Sequence, residues 1–489
     1  MNIINAVHNG SAVPRRRSTR FGVVLAGAMT SALLAGACAD LDILNTNAPT
    51  LGTLTDSPTR EILARAATGI FSEAFNDVGT EIQFYALYGR EGYNLLGNDP
   101  RETGEQIRGP QDPTGRNSGI WLGPYSAIRT INTYLAALPN GTRISAEEQR
   151  ASAGFAKTLK AWHLHRLAIR SGELGIPVDV DRHIDDEPAP FVSFEAAMAA
   201  ASALMDEALV DLQAGSADFP FTVAPGFEGF STPATFEQFN RALAAKILVH
   251  RATFLNCQAC WAEASTALDA SFVTTAGLPE SLAEGVYYGY SATAGEPSNP
   301  VTEPVASNRL WVHPSILTGA QAQPGGAPDR RLTEKVLDTD RSRNLNDLIG
   351  THKPALFNSA SDPAVADLGA DIPWIINEEL LLLRAEIRWH TNDRAGAVSD
   401  LDAVRLHAGG LAPSGLTAAS SDDAFIDELL YNRLYSLMWT QGTRWMDARR
   451  YDRLGDLPID RPGDSVFQNM IVPAAECDAR GLDSPCTPL

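Results

Sequence analysis

A chain of 489 residues, of which 44% are hydrophobic and 20% are charged, has the composition of an ordinary globular protein. It is long enough to bury a large core, so it needs neither many disulfides nor a structural metal in order to fold. The formal net charge of −20 disfavours contact with nucleic-acid phosphates and with anionic lipid surfaces, and we expect no nucleic-acid partner.

The N-terminus has the layout of a secretory signal peptide. Four arginines within residues 15–20 precede an uncharged apolar run over residues 21–34, which is too short for a comfortable membrane span. Small residues then lead to Cys38, and this arrangement resembles the lipobox of bacterial lipoproteins, in which the cysteine thiol receives diacylglycerol. We predict that residues 1–37 are removed and that Cys38 carries a lipid. In the alternative, the signal is cleaved in the ordinary way and Cys38 is incidental.

Helical periodicity dominates the rest of the chain. Apolar residues recur at helical spacing in many stretches, whereas alternating strand patterns are short and limited to residues 175–180 and 286–290. The predicted helical stretches, in chain order, are residues 62–75, 121–135, 155–167, 194–212, 236–254, 261–268, 375–389, 395–406 and 425–446.

Several of these helices are predicted to form pairs joined by short turns. Asn392 and Asp393 can cap a helix directly after the one that ends near His390, and Gly409 with Gly410 can end it. Alanines fill many positions where two such helices would approach, as a tetratricopeptide (TPR) hairpin requires. We therefore predict a mainly α fold of TPR-like helical hairpins, without a regular repeat.

Long loop-rich stretches separate the helical blocks. They cover residues 89–119, 214–235 and 277–373 and are rich in Gly, Pro and Asn. Ordered loops of this length are usually functional, and binding residues tend to lie on loops that a rigid frame supports. We expect residues 38–489 to form one domain whose loop-rich part holds a ligand site.

The cysteine count favours two structural disulfides. With Cys38 acylated, four cysteines remain, which is an even number for an exported protein. Proximity in the sequence favours the pairs Cys257–Cys260 and Cys477–Cys486. The alternatives are a redox CxxC motif, which lacks the strand–helix context of a thioredoxin here, and a four-cysteine zinc site, for which the second pair is spaced too widely.

Three groups of motifs occur together in an order that is typical of one family. They are the leader CADLDILNTNAPT at residues 38–50, the helix ELLLLRAE at 379–386 with the helix end DAVRLHAG at 402–409, and NR at 432–433 with QGTRWMDARR at 441–450. The helix over 121–132, the turn over 175–177 and the closing segment 472–476 also fit. This set resembles the SusD/RagB family of outer-membrane nutrient-binding lipoproteins over nearly the whole mature chain.

The resemblance implies a function as well as a SusD-like fold. It implies a cell-surface protein that is attached to the outer membrane through its N-terminal lipid, lies over a SusC-like TonB-dependent transporter, and retains oligosaccharide or peptide for import. It implies no catalysis and no cofactor. Two other classes remain open: a surface glycan-degrading enzyme, which needs two carboxylates facing each other across a groove, and a TPR-type envelope scaffold with an exposed groove for peptide.

The charged residues of these motifs are interpreted as a structural ion network. Glu379 and Glu386 lie two turns apart on one helix face, and buried carboxylates need cationic or hydrogen-bonding partners. The residues considered as part of this network are Arg405, Arg444, Asp447 and Arg449. The alternative is a catalytic carboxylate pair. The tryptophans on helical apolar faces are predicted to lie in the core, namely Trp121, Trp162, Trp389 and Trp445.

Two groups of residues combine aromatic rings with amides and charges, the chemistry that recognises carbohydrate. The first group is Tyr85, Tyr88, Tyr93, Asn94, Asn98, Asp99 and Arg101. The second group is Tyr287, Tyr288, Tyr290, Asn308, Arg309 and Trp311. The family that the chain resembles builds its ligand site from comparable regions. In the alternative, these rings only cover hydrophobic gaps between loops and helices.

No motif points to nucleotide or metal chemistry. The sequence has no GxxxxGK[ST] loop, no helical His-x3-His with a glutamate and no Gly-x-Ser-x-Gly elbow. His163 and His165 are two residues apart on a predicted helix and so point to different faces. We therefore expect neither a metal nor a cofactor.

Overall fold

Helices make up most of the regular structure in the computed structural model, which describes residues 51–183, 185–441 and 443–489. The predicted signal peptide and Cys38 lie outside these residues. In chain order the helices are α1 (Leu51–Thr55), α2 (Arg60–Ala74), α3 (Val78–Tyr88), α4 (Gly119–Ala137), α5 (Ala146–Ser171), α6 (Phe194–Gln213), α7 (Pro233–Phe254), α8 (Ala259–Asp269), α9 (Pro314–Thr318), α10 (Arg330–Lys335), α11 (Asn377–His390), α12 (Arg394–His407), α13 (Asp422–Leu437), α14 (Thr443–Arg450) and α15 (Ala474–Asp478).

The strands are short and pair two by two. They are β1 (Gly92–Asn94), β2 (Ile176–Pro177), β3 (Phe191–Val192), β4 (Gly285–Tyr288), β5 (Leu310–Val312), β6 (Val336–Leu345), β7 (Leu348–Pro354), β8 (Asn358–Ser359), β9 (Asp362–Ala366) and β10 (Ile372–Ile376). The antiparallel pairs are β1–β5, β2–β3, β4–β10, β6–β7 and β8–β9. The fold is therefore mainly α, as the periodicity predicts.

The predicted helical hairpins are confirmed. Helix α7 packs along α8, and α11 packs along α12, each across a short turn. Helix α5 also packs along α6, although a longer segment that contains β2 and β3 joins them. Asp393 caps α12, because its side chain accepts a hydrogen bond of 3.1 Å from the backbone N–H of Gly396. Gly410, with φ of 65°, follows the end of that helix. The pairs share a large apolar core, in which α5 and α7 are buried on every side over residues 161–171 and 239–250.

The tryptophans predicted to lie in the core are all buried. Trp121, Trp162, Trp389 and Trp445 are at most 2% exposed. Trp389 stacks on Phe425 with ring centroids 4.0 Å apart, which joins α11 to α13. These rings hold the frame together and are not available to a ligand.

One predicted helix is two separate helices in the structure. The sequence pattern over residues 425–446 indicates a single helix, whereas the structure has α13 and α14 with a break between them. Met438 is extended, and Trp439 has a left-handed φ of 56°. The N–H of Trp439 donates to the buried carboxylate of Glu91 at 2.6 Å. This tertiary hydrogen bond takes the place of the helical one, so the chain turns here despite its apolar periodicity.

Helix α3 lies where the sequence predicts no helix. Nine of its eleven residues are buried, and only Thr80 and Gln83 are partly exposed. A helix that is buried on almost every side lacks the polar face that produces an amphipathic pattern. The loop-rich stretch over residues 277–373 is also more ordered than predicted, since the hairpin β6–β7 lies within it.

The buried ion network forms, but with partners that the sequence did not identify. Arg450 bonds both oxygens of Glu386, and its Nε donates to Asp447 at 2.7 Å. Arg433 donates to the other oxygen of Asp447 at 2.8 Å. Burial would raise the pKa of Asp447, but the guanidinium groups of Arg433 and Arg450 hold it below its usual value. The network is a satisfied structural cluster.

The other charged motif residues bond elsewhere. Glu379 pairs with Lys246 at 2.8 Å, while Arg405 pairs with Glu428. Arg444 and Arg449 donate to backbone oxygens, those of Arg90 and Ile169, both at 2.7 Å. The expectation that Arg405, Arg444 and Arg449 pair with the two motif glutamates is therefore wrong. Each arginine instead reaches an acceptor on a different element, which sequence spacing does not reveal.

No helix among the described residues is both long enough and apolar enough to cross a lipid bilayer. In the same part of the chain, no three His, Cys, Asp or Glu side chains cluster as metal ligands would.

Candidate functional site

The two tyrosines that open the first predicted ligand group are core residues. Tyr85 and Tyr88 belong to α3 and are at most 1% exposed. Tyr85 stacks on Trp445 at 5.2 Å, and Tyr88 packs against Trp445 at 5.3 Å and Phe467 at 4.9 Å. The prediction that they lie in a loop and face a ligand is wrong, because α3 is enclosed by the rest of the frame.

The pairing of β1 with β5 joins the two predicted groups. Tyr93 lies opposite Trp311 in the register, and Asn94 lies opposite Leu310. Both aromatic rings are buried, with Tyr93 2% and Trp311 0% exposed. The structure therefore corrects their predicted role as stacking surfaces, since these rings form the small core beneath the hairpin. The pairing leaves Asn94 buried, at 3% exposed, and the neighbouring Arg309 partly exposed.

The remaining residues of the first group form a turn. Asn98 is exposed, and Asp99 caps the short turn that follows by accepting from the N–H of Arg101 at 3.0 Å. The Arg101 guanidinium also binds the Asp99 carboxylate at 2.7 Å. Hydrogen bonding to Arg101 is the main cause that lowers the pKa of Asp99 to about 2. These two charges satisfy each other rather than a ligand.

The tyrosines of the second group lie apart from Asn94 and Arg309. Tyr288 is buried and stacks on Trp374 at 4.3 Å, and Tyr290 packs against Phe75 at 5.6 Å. Tyr287 lines a separate cavity, and its hydroxyl donates to the backbone oxygen of Ala283. Asn308 accepts from the indole N–H of Trp311 and from Arg341. All four of these side chains therefore have structural contacts of their own.

One cavity collects polar residues from both predicted regions. It has a volume of about 530 Å³ and lies between α3, β1 and the segment that leads into β5. From the predicted groups it contains only Asn94 and Arg309. Its other lining residues are Asp77, Thr80, Gln83, Phe84, Leu87, Glu102, Gln106, Arg116, Gly119 and Pro300. A cavity of this size suits a small organic ligand.

Most charges in this cavity are paired. Arg309 binds Glu303 at 2.8 Å, and Arg116 binds Glu102. Burial raises the pKa of the Glu102 carboxyl, and Arg116 opposes that rise. The exception is Asp77, whose carboxylate makes no hydrogen bond or ion pair with the described residues.

Asp77 is held in an unusual backbone conformation. Its φ is 60°, which places a non-glycine residue in the left-handed region just before α3. Its carboxylate lies so close to α4 that a Cβ at Gly123 would be 2.4 Å from one oxygen. Burial raises the pKa of this carboxyl, and Arg166 opposes that rise. The chain thus holds an unpartnered acceptor at the cavity wall.

Sequence reasoning missed most of this site. Asp77, Gln83, Phe84 and Arg116 are not in either predicted group, because they lie on or beside a helix that carries no amphipathic signal. The pair Asn76–Asp77 is the one local signal that could have indicated a turn there.

The two predicted cysteine pairs are both disulfides in the structure. Cys257 is bonded to Cys260 in the turn between α7 and α8, and Cys477 is bonded to Cys486 near the C-terminus. Since all four thiols are oxidised, they do not form a zinc site here.

The chain is similar to known proteins in structure, whereas its sequence matches none of the family models or curated sequences. A SusD superfamily protein from Bacteroides vulgatus ATCC 8482 has a TM-score of 0.64 at 14% identity, with 86% of this chain and 97% of that chain covered.

Two further structures are similar over nearly the same length. The first is B. fragilis NanU, with a TM-score of 0.63 at 13% identity over 86% of this chain and 94% of that chain. A SusD superfamily protein from Parabacteroides distasonis ATCC 8503 has a TM-score of 0.64 at 14% identity over 85% of this chain and 97% of that chain. The resemblance that the motifs indicate is confirmed at the level of the fold, and the chain has the fold of the SusD superfamily.

Proposed function

We propose that this protein is a cell-surface nutrient receptor that binds oligosaccharide and passes it to a SusC-like TonB-dependent transporter of the outer membrane. In this proposal residues 1–37 are a signal peptide, Cys38 carries the lipid anchor, and residues 38–489 form one ligand-binding domain. The SusD fold supports this class of function. The observation that carries the proposal is the polar cavity beside α3, with its unpartnered carboxylate.

The cavity suits hydroxyl-bearing ligands. Asp77 offers carboxylate oxygens as acceptors, and the amide of Gln83 adds a donor and an acceptor, whereas the amide oxygen of Asn94 already accepts from the N–H of Leu96 at 3.2 Å. Phe84 and Leu87 line the cavity as apolar residues, but both are buried, so polar contacts dominate in this proposal. The cations in the cavity are already neutralised by carboxylates, so a neutral ligand is favoured over an anion.

The binding role of the cavity is tested by Asp77→Asn. Asparagine tolerates the left-handed φ, so we expect the fold to be kept while a charged acceptor is lost. A hydrogen bond to a charged group is worth about 1.5–3 kcal/mol, so the affinity for the bound oligosaccharide should fall by roughly tenfold or more. The measurement is calorimetric titration with the best ligand from a panel of oligosaccharides of defined linkage.

Asp340→Asn is the matched control. Asp340 is an exposed aspartate with a similar φ of 51°, and it lies in the β6–β7 hairpin away from the cavity. It should leave the affinity unchanged. If the wild-type protein and Asp77→Asn bound the oligosaccharide with equal affinity, the cavity would not be part of the binding site. If the protein bound peptides and no glycan, the proposed ligand class would be wrong.

A hydrolase is the second candidate, because Asp77 and Glu102 both line this cavity and burial raises the pKa of both carboxyl groups. Receptor and hydrolase differ in turnover. Release of shorter sugars by the wild-type protein, abolished in Asp77→Asn, would favour the hydrolase. Glu102 is already bound by Arg116, so the receptor is the better supported of the two.

The proposed anchor is tested by Cys38→Ala. The altered protein is expected to lose incorporation of radiolabelled fatty acid and to leave the membrane fraction, because the thiol that would carry the lipid is absent. The measurement is labelling in culture followed by immunoprecipitation and cell fractionation. A Cys38→Ala protein that still takes up label would contradict lipidation at this residue.

A further inference from the structure

The Cys257–Cys260 disulfide has no part in the proposed receptor function. Its two cysteines form a C-x-x-C motif in the turn between α7 and α8. In motifs of this kind the pKa of a thiol is often lowered, so that the pair exchanges disulfides with other thiols. A thioredoxin places the motif after a strand, whereas here it follows helix α7. The thiol chemistry depends on the helix that comes after the motif, and that helix is present.

The motif lies at the N-terminal end of α8. Cys257 precedes the first residue of this helix of 11 residues by two positions, and Cys260 lies in its first turn. The N–H groups of a first helical turn carry partial positive charge. Gln258, at the N-cap position, makes no capping hydrogen bond with its side chain. A thiolate at Cys257 is therefore an acceptor for this turn, which stabilises the reduced form of the motif.

The C-terminal end of α7 carries partial negative charge, but its carbonyl groups near Cys257 already accept hydrogen bonds. The oxygen of Arg251 accepts from the N–H of Leu255 at 3.2 Å and from that of Cys257 at 3.4 Å. The oxygen of Val249 accepts from the hydroxyl of Thr253 at 2.9 Å. These donors offset the negative end of α7, so we expect the positive end of α8 to dominate at the Cys257 sulfur.

The two sulfurs of the motif differ in their access to solvent. Cys257 is partly exposed, and its neighbours Asn256 and Gln258 are exposed on either side of it. Cys260 is 0% exposed and belongs to the main apolar core. A thiolate from outside can therefore reach Cys257, while Cys260 serves as the leaving sulfur. A site of thiol–disulfide exchange needs this division, because the buried thiol later displaces whatever is bound to the accessible one.

The second disulfide of the chain offers an internal comparison. Cys477 is 0% exposed and Cys486 is 8% exposed, so both of its cysteines are buried. Cys477 lies in the last turn of the short helix α15, directly before Asp478. The partial negative charge of a helix C-terminus and a neighbouring carboxylate both disfavour a thiolate. This disulfide has the surroundings of a structural bridge, in contrast to the Cys257–Cys260 pair.

A second cavity leaves room for a substrate beside the motif. Its volume is about 480 Å³, and it shares no lining residue with the first cavity, which lies beside α3. Asn256 and Gln258, on either side of Cys257, both line it, and so does Trp261, which follows Cys260. The accessible side of the motif therefore adjoins a recess that can admit a small molecule or a peptide side chain that bears a thiol.

We propose that Cys257–Cys260 is a redox-active disulfide that oxidises dithiols by thiol–disulfide exchange, an activity separate from ligand binding in the first cavity. One thiolate of the dithiol attacks Cys257 Sγ, the Cys257–Cys260 bond breaks, and its electron pair passes to Cys260 Sγ, which takes up a proton. The second thiolate of the dithiol attacks the substrate sulfur of the mixed disulfide and releases Cys257 as a thiolate. The dithiol loses two electrons and two protons. The electrons reduce the two cysteines, Cys260 retains one proton, and the other proton passes to water.

The first test compares the two disulfides within one protein. The full chain carries Cys38→Ala, so that the only cysteines are the four that form disulfides, and it is equilibrated in glutathione buffers of increasing reducing strength. Free thiols are then labelled and identified by mass spectrometry. We expect Cys257–Cys260 to be half reduced at a ratio of squared reduced glutathione to oxidised glutathione at least roughly tenfold lower than Cys477–Cys486, because structural disulfides resist this reductant. Half-reduction of both disulfides at the same ratio would overturn the proposal.

The second test measures the thiolate directly. The rate of alkylation by iodoacetamide is recorded against pH for the reduced protein, and each labelled cysteine is identified. We expect the midpoint for Cys257 to lie at least one pH unit below the ordinary thiol value of about 8.5, with Cys260 unlabelled in the folded protein. The same protein unfolded in urea is the control, in which both cysteines should titrate at the ordinary value. A midpoint for Cys257 at or above that of the unfolded chain would contradict the role of α8.

A matched pair of variants tests the division between the two sulfurs. With oxidised glutathione, Cys260→Ser should form a lasting mixed disulfide at Cys257, because the thiol that resolves it is absent. Cys257→Ser should form none, since Cys260 is buried. Cys477→Ser/Cys486→Ser should still oxidise one equivalent of dithiothreitol per protein, as the parent protein should beyond the contribution of its second disulfide. Equal mixed-disulfide formation by the two single variants would refute the assignment. The titration and the alkylation use the intact pair, so they decide the proposal even if a variant fails to fold.

Discussion

Replacing Glu386 with glutamine is expected to lower the free energy of unfolding by about 3–5 kcal/mol, the cost of breaking a buried ion pair from one side. Glu386 is fully buried and accepts hydrogen bonds from Arg450 and from the hydroxyl of Tyr451 at 2.5 Å. Asp447 is shared between Arg450 and Arg433. Loss of the Glu386 charge therefore leaves two guanidinium groups in the core with a single carboxylate.

Urea unfolding of the wild-type protein and the Glu386→Gln variant measures this loss. The control is Asp423→Asn, which removes the exposed partner of Arg453 in a 3.2 Å ion pair. A solvent-exposed pair of this kind contributes about 0–1 kcal/mol. If the two substitutions had equally small effects, the network around Arg450 would not hold α11 against α14, and its interpretation as a structural cluster would fail.

Much of the helical frame could be predicted from the sequence because many of its helices are amphipathic. The hairpin of α11 and α12 is an example. Its cap at Asp393 and its end at Gly409 and Gly410 are predicted from local sequence signals, and the structure confirms them. Helix α3 shows where this reasoning fails. Its residues are buried on nearly every side, and burial of that kind is decided by distant elements such as Trp445 and Phe467.

The charged motif shows a second limit of prediction from sequence. Residue types identified a buried network correctly, because carboxylates and arginines on apolar helices need partners. The actual partners depend on how helices far apart in the chain cross, as with Glu386 on α11 and Arg450 on α14. Lys246, which pairs with Glu379 from α7, belongs to no motif at all.

The candidate site illustrates both limits. The pairing of β1 with β5 brings one residue of each predicted group, Asn94 and Arg309, to the candidate cavity. Their aromatic members are mostly buried, because aromatic residues in long loops that fold back on a frame pack into its core. The accessible polar residues Asp77, Thr80 and Gln83 come from α3 and its N-terminal turn, where the sequence has no amphipathic pattern.

Replacing Trp311 with alanine is expected to lower the free energy of unfolding by about 3–5 kcal/mol, as for other buried tryptophans. Trp311 is fully buried, and its indole N–H donates to the backbone oxygen of Asn308 at 2.9 Å. The Lys353 ammonium lies 4.5 Å from the ring centroid. At Gly350 a Cβ would come within 2.5 Å of the Trp311 side chain, so β7 approaches β5 as closely as the backbone allows.

Lys353 amplifies the effect of this substitution. It is also fully buried, and burial lowers its pKa to about 8 in spite of the nearby Glu303 carboxylate. Without the ring, its ammonium loses the cation–π contact and faces a void. Trp311→Phe retains an aromatic ring in the same place, so we expect it to destabilise the protein by less than half as much as Trp311→Ala. Urea unfolding of both variants measures the difference.

The consequence for ligand binding follows from where Trp311 lies. Its neighbour Leu310 pairs with Asn94, which lines the first cavity, so a collapse of the β1–β5 pair should weaken binding indirectly. Binding to Trp311→Ala should then recover at low temperature or at high ligand concentration, because both favour the folded state. A Trp311→Ala protein of unchanged stability that no longer binds sugar would instead make this ring a direct ligand contact and would contradict its burial.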